Sequence, residues 1–309
     1  MDGFVVIAKP AGCTSHDVVT QVKRLLGARK AGHLGTLDPI ATGVLPVCVN
    51  EATKLVQFLS AARKTYRVTM LLGVHSDTQD TEGKIISRSE LVPAEDEIRK
   101  TLAGFMGKIK QLPPAFSAVK YKGKPLYRYA RAGEFPEIVP REVEVFDLKV
   151  MEITFPRVTF DIVCSAGTYV RTICSDAGQM LGCGACLCGL RRVKSGIFTQ
   201  TMAVSVAEGR GEEKQRELLE RMLSMEDSLP DIPAVTVDNP TALRLRDGFQ
   251  PDAELLRQNV HSFLAAGDMI KFTDSDGRLI ALAEMQMPAD VINCVQGNVP
   301  AARLLRVFK

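Results

Sequence analysis

Residues 30–43 read KAGHLGTLDPIATG, and their reading decides how the chain on either side folds. Glycines stand at 32, 35 and 43 and a proline at 39, with no helical or alternating apolar pattern, so the stretch is predicted to be loop. Beyond it, residues 44–49 (VLPVCV) are predicted to form a buried strand and residues 52–59 a helix. Before it, residues 3–8 read as another buried strand. Ser15 is the expected N-cap of the helix that follows, with Asp17 in the first turn, where the helix dipole favours an acid. Val18, Val19, Val22, Leu25 and Leu26 continue at helical spacing, and Gly27 is the expected stop. A glycine-rich loop of this kind can bring backbone close to a ligand and hold a side chain in a fixed, non-helical position. Asp38 precedes Pro39, which pushes it toward extended backbone. An acid so held is placed to act as nucleophile or base, although turns are the commonest home of aspartate. His33, five residues earlier, has no Ser or Cys evidently paired with it. It reads as a base, a stacking side chain or a structural residue.

The remaining elements alternate irregularly. Residues 66–72, 143–154, 158–165 and 184–198 read as strands, and residues 93–105 and 168–181 as helices. That mixture predicts an α+β fold with a mixed or antiparallel sheet. Residues 208–227 are dense in charge and are predicted to be largely helical. Pro230 and Pro233 then mark a linker. Residues 232–309 hold short β-like runs at 269–273, 279–285 and 304–308 and one short helix near 241–246. The expected division is therefore a domain over residues 1–230 and a small, mostly β domain over residues 231–309.

The 309 residues suffice for two domains. A composition of 46% hydrophobic and 24% charged residues excludes a disordered or fibrous chain. No run approaches the ~18 apolar residues of a membrane span. The N-terminus, MDGFVVIAKP, lacks a basic region and a long apolar region, so it is not a secretory signal and the expected compartment is the cytoplasm. Eight cysteines would remain thiols there. Cys183-x-x-Cys186 looks like half a zinc site, but Cys188 follows only two residues later and no second pair has ligand spacing. With Cys164 and Cys174 they read as core thiols, and no metal is expected.

The net charge of +3 is too small to signal a polyanionic partner, but its distribution does. Residues 232–309 carry 8 Lys and Arg against 9 Asp and Glu. Residues 105–133, in contrast, hold Lys108, Lys110, Lys120, Lys122, Lys124, Arg128 and Arg131 and no acid. Phe105, Phe116, Tyr121, Tyr127 and Tyr129 are interleaved. Cations meet phosphates while aromatic faces stack on unpaired bases, so the stretch favours nucleic acid over an ordinary solvated face. Arg171 falls at a strand-to-helix turn, CSAGTYVR, where it could pair with a carboxylate, although a surface arginine is the commoner reading.

On these residues the chain resembles the bacterial tRNA pseudouridine-55 synthases. KAGHLGTLDPIATGVLPV is close to that family's signature loop. Residues 7–12 with Thr14 and Ser15 look like its opening strand and turn, and Tyr66 ahead of Leu72 and Gly73 stands where expected. SDTQDTEG at 76–83, residues 113–120 with 127–133, and residues 165–171 with Leu190, Arg191 and Arg192 complete the set. The C-terminal segment is similar to the small RNA-binding domain called PUA. Ser76, where relatives often carry Thr, and the cysteine-rich stretch at 183–188 depart from the pattern.

The resemblance implies a pseudouridine synthase fold with an RNA-binding insertion at about 105–142. It implies Asp38 as nucleophile, Arg171 as its partner and Tyr66 as the aromatic against the target base. Tyr169, Leu190 and Asp80 would be further pocket members, and His33 would take the space of flipped nucleotides. Lys9, Lys120, Lys122 and Lys124 are expected to bind substrate. The implied reaction isomerises uridine 55 in the T-loop of tRNA, with the T-loop and stem as partner. The enzyme is expected to be a monomer with no protein partner. Nothing is oxidised and no group is imported, so no cofactor is expected. A synthase for another RNA is one alternative, and a non-catalytic RNA-binding or tRNA-folding protein is a second.

Overall fold

The computed structural model describes residues 1–206, 211–257, 264–295 and 297–309. Seven strands form the spine of its larger sheet: β1 (Gly3–Lys9), β2 (Thr42–Val49), β3 (Lys64–Leu72), β4 (Gly107–Gln111), β5 (Arg141–Thr154), β6 (Arg157–Cys164) and β7 (Ala185–Ser195). They lie in the order β1-β2-β7-β3-β6-β5-β4. Neighbours along this spine are antiparallel except β2 and β7, which pair in parallel where Thr42 and Gly43 meet Arg191 and Arg192. The sheet is thus mixed, as the irregular alternation predicted. The parallel junction requires glycine. Gly43 has φ of +97°, and a β-carbon there would run into the backbone of Arg192.

Helix α1 (Ser15–Leu25) packs Val18, Val19 and Val22 into the core with Val5, Ile7, Leu45 and Val47. Its N-cap is Thr14, one residue before the expected Ser15. The Thr14 hydroxyl accepts from the Asp17 N–H at 3.1 Å, and the Asp17 carboxylate accepts from the Thr14 N–H at 2.9 Å, closing a capping box. Helix α2 (Val170–Met180) packs across the sheet, burying Ile173, Cys174 and Ala177. The predicted loop at 30–43 contains a short strand, Ala31–His33, paired with β2. The predicted helix at 52–59 is a 3-10 turn, Asn50–Leu55, leading into Val56–Leu59.

The basic stretch leaves the sheet through β4 and returns through β5, which pair from Gly107 with Val145 to Gln111 with Arg141. Between them stand a hairpin, Lys120–Tyr121 with Lys124–Pro125, and the helix Leu126–Arg131.

The C-terminal sheet has four strands in the order Ala234–Thr236, Met269–Thr273, Leu279–Met285, Ala302–Val307. Helices Asn239–Arg246, Ala253–Arg257 and Ala289–Ile292 flank it. The first strand and the last two helices are too short to show periodicity in the sequence. The charged segment expected as a helix over 208–227 is helical only at Glu212–Glu220, and residues 207–210 lie outside the described residues. The C-terminal sheet has its own core around Leu245, Ile270 and Phe272. It also shares one with the large sheet: Leu279, Leu282 and Phe308 pack with Phe4, Val6, Val44, Leu55 and Phe198. Among the described residues, no helix is long and apolar enough to cross a membrane.

Candidate active site

The loop backbone around Asp38 is clamped at three points. The Ser15 hydroxyl donates to the Leu37 carbonyl (3.0 Å) and accepts from the Leu37 N–H (2.8 Å). The Lys9 ammonium donates to the carbonyls of Pro10 (2.9 Å), Pro39 (3.3 Å) and Ala41 (2.7 Å). The Gly12 N–H also donates to Pro39 (2.9 Å), and the Ala41 N–H closes a turn on the Asp38 carbonyl (3.0 Å). The residues on either side of Asp38 are therefore fixed while its side chain stays 33% exposed. Lys9 departs from the expectation of substrate binding. It is 1% exposed, and all three of its N–H donors face backbone carbonyls, so it holds the loop instead.

Arg171, in the first turn of α2, reaches both acids of the site. Its Nε stands 3.7 Å from the Asp38 carboxylate and its Nη1 3.8 Å from that of Asp80. Its Nη2 donates to the Phe116 carbonyl at 2.6 Å. The carboxylate contacts are ion pairs too long to be hydrogen bonds. The buried Nε has no hydrogen-bond partner. Burial pushes the Asp38 carboxyl above the usual carboxylate range, and the Arg171 guanidinium draws it back. Asp80 is anchored within SDTQD, where its carboxylate accepts from the Thr78 hydroxyl (2.6 Å) and the Glu82 N–H (3.1 Å).

Asp38 and Asp80 line a cleft of about 560 Å³ together with Tyr66, Tyr169, Leu190 and Arg171. Tyr66 comes from β3 and is buried, which raises its phenol pKa, while the nearby Arg192 lowers it. The Tyr169 backbone is held by the Gln111 amide, which donates to its carbonyl (3.0 Å) and accepts from its N–H (2.7 Å). Gln111 ends β4, so this pair ties the insertion to the cleft. Tyr127 and Arg131 of the insertion helix also face the cleft, with Arg131 5.4 Å from the Tyr127 ring.

Other expected residues lie elsewhere. His33 does not line the cleft; it is half-buried, and its Nδ1 has no hydrogen-bond partner. Lys120, Lys122 and Lys124 sit on the hairpin outside the cleft. The Lys122 ammonium lies 5.4 Å from the Tyr121 ring and that of Lys124 4.4 Å from the Tyr129 ring. Cys174, Cys183 and Cys186 are buried thiols in the core, and burial pushes Cys186 up to about 11. Among the described residues, no group of three or more His, Cys, Asp or Glu could hold a metal ion.

Two cations of the cleft were given no role from the sequence: Lys64 and Arg192. The Lys64 ammonium donates to the carbonyls of Ser60 (2.6 Å) and Ala62 (2.7 Å). Arg192 donates from Nε to Val44 (2.7 Å) and from Nη2 to Gly35 (3.0 Å). A signal for Arg192 existed. Leu190 and Arg192 share a parity on one strand, so a pocket role for the first implies the same face for the second.

A TruB family pseudouridylate synthase N-terminal domain model matches residues 23–170, and a tRNA pseudouridylate synthase B C-terminal domain model matches residues 171–229. The chain is 50% identical to the tRNA pseudouridine synthase B of Syntrophus aciditrophicus, covering 100% of this chain and 99% of the relative. It is 42% identical to that of Geobacter sulfurreducens, over 100% of both. Among solved structures, Cbf5 in a Cbf5–Nop10–Gar1 complex superposes with a TM-score of 0.73 at 28% identity, covering 99% of this chain and 85% of that one. An H/ACA RNP bound to a substrate RNA containing 2′-deoxyuridine also gives 0.73, at 26% identity. Fold and site together define an enzyme of the pseudouridine synthase class. Within that class, the chain belongs to the TruB family of pseudouridylate synthases.

Proposed function

We propose that the chain isomerises uridine 55 in the T-loop of tRNA to pseudouridine, with Asp38 as its nucleophile. The observation that carries this reading is the placement of Asp38. A rigidly clamped, partly exposed carboxylate faces a cleft and pairs with the buried Arg171. The reaction breaks the bond from ribose C1′ to uracil N1, turns the base, and joins C1′ to C5. The C5 proton leaves and N1 gains one. Ionised Asp38 acts at C6 of the uracil or at C1′ as the base departs. Arg171 favours that ionised form against the effect of burial.

A uridine inside folded RNA must be flipped out, which costs a few kcal/mol. The basic residues of the insertion at about 105–142 offset this through phosphate contacts, with Lys120, Lys122 and Lys124 foremost. Tyr66, Tyr169 and Leu190 hold the detached uracil while it turns and limit water around it. Residues 1–230 form the catalytic domain in this reading, and residues 231–309 a PUA-like domain that touches tRNA away from the modified loop. The enzyme works as a monomer in the cytoplasm. The test is incubation of the purified protein with unmodified tRNA transcript, followed by base-resolution mapping. Conversion at position 55 alone is expected, and conversion elsewhere or none at all would overturn the assignment.

A further inference from the structure

Among the described residues, two buried cations of the cleft have no counter-ion. Lys64 is 6% exposed and Arg192 1%. They converge on Gly35, where a β-carbon would lie 3.5 Å from Arg192 Nη1 and 3.6 Å from Lys64 Cε. Arg171 faces two carboxylates, whereas among the described residues Lys64 and Arg192 form no ion pair. Their hydrogen bonds go to the backbone carbonyls of Ser60 and Ala62, and of Val44 and Gly35, and Arg192 also bonds the Tyr66 phenol. Carbonyls satisfy donors but do not neutralise charge. Two of the three Lys64 N–H groups are so committed, which leaves one for a ligand. Burial, with Arg192 adding to it, pulls the Lys64 ammonium down to about 8. An uncompensated cation pair in low dielectric is costly, and an arriving anion would relieve it.

The position says which anion. Arg192 is the cross-strand partner of Tyr66 in the sheet, and both line the cleft. A nucleotide whose base lies against Tyr66 carries its own phosphates within one nucleotide's reach of that point. Gly35 has φ of +91° and itself lines the cleft, and it places no side chain against the two cations. We infer that Lys64 and Arg192, over Gly35, form an anion site for one backbone phosphodiester flanking the flipped uridine. The inference rests on the proposed function and extends it by naming where the reacting nucleotide is gripped.

The test uses a synthetic stem-loop RNA that the wild-type enzyme converts, so that failure to find a substrate is seen separately. In two further RNAs the phosphate 5′ or 3′ to the target uridine is replaced by a neutral methylphosphonate. One replacement, and not the other, should lower the wild-type single-turnover rate or affinity about tenfold, as expected for a lost charge-assisted hydrogen bond. Lys64→Gln should lose a similar factor with the unmodified RNA and be nearly indifferent to the sensitive replacement. Losses that multiply in full would show that Lys64 does not touch that phosphate. Should Lys64→Gln fail to fold, the wild-type series still decides, because indifference to both methylphosphonates would overturn the proposal.

Discussion

The cleft and the basic insertion are both rich in cations, yet the two sets are built for different work. Lys64, Arg171 and Arg192 in the cleft and Lys9 behind the loop are buried and locked onto backbone carbonyls. In the insertion, Lys120, Lys122 and Arg128 are exposed, and Lys122 and Lys124 lie against tyrosine rings. Buried cations cannot move without cost, so they fix geometry, and Arg171 and Lys9 draw the Asp38 carboxyl down against the effect of burial. Exposed cations can follow a flexible polyanion and act through released counter-ions, which makes them a source of affinity. On the proposed reading, a basic count points to the RNA contact, whereas burial and hydrogen bonding point to the chemistry.

The largest effect that would sharpen this contrast is expected at Lys9. Lys9→Met removes a donor from three carbonyls around Asp38 while keeping an unbranched side chain. Turnover should fall by about a hundredfold, the scale of a small misplacement of a reacting group. Stability should drop by about 1–3 kcal/mol from the unpaired backbone. RNA affinity should be nearly unchanged. A binding defect with normal single-turnover rate would return Lys9 to the substrate-binding role.

Phe308→Ala is the next test, read by denaturant unfolding. The side chain is 1% exposed in the core shared between the sheets. A loss of about 3–5 kcal/mol is expected, as for other buried Phe truncations. A change under 1 kcal/mol would mean that the C-terminal sheet does not brace the large one.

Arg171→Lys should lower turnover about tenfold, because a point charge replaces a planar fork. It should also move a pH limb. Burial raises the Asp38 carboxyl, so activity that needs the carboxylate is lost as pH falls through a value above the ordinary ~3.9. Weaker pairing at 171 moves that acid limb further up. An unmoved limb would separate Arg171 from the ionisation of Asp38. The smallest effect belongs to the insertion. Lys122→Ala with Lys124→Ala should flatten the slope of log affinity against log salt by roughly 0.7–0.9 per lost phosphate contact, with turnover at saturating RNA preserved.

Much of this was legible in the sequence because its signals were local. Glycine spacing and Pro39 marked the loop that carries Asp38, and apolar runs marked β1 and β2. A one-sign charge run marked the insertion. What was hidden depends on partners far along the chain. Lys9 cannot be known as a clamp until Pro39 and Ala41 are brought to it, 30 and 32 residues on. Ser15 reads as an N-cap locally, but its hydroxyl is taken by Leu37, which leaves the cap to Thr14. Arg191 and Arg192 are adjacent in sequence and opposite in fate, one exposed and one buried, because strand side chains alternate.

In the proposed mechanism Asp38 does the chemistry and the basic residues do the holding. Asp38→Asn keeps volume and turn-forming capacity and removes only the charge. With unmodified tRNA transcript under single-turnover conditions, pseudouridine should be undetectable by base-resolution mapping, while tRNA binding stays within a few-fold of wild type. Substantial conversion by this variant, shown to be free of wild-type enzyme, would contradict the account and leave Asp38 as a turn residue.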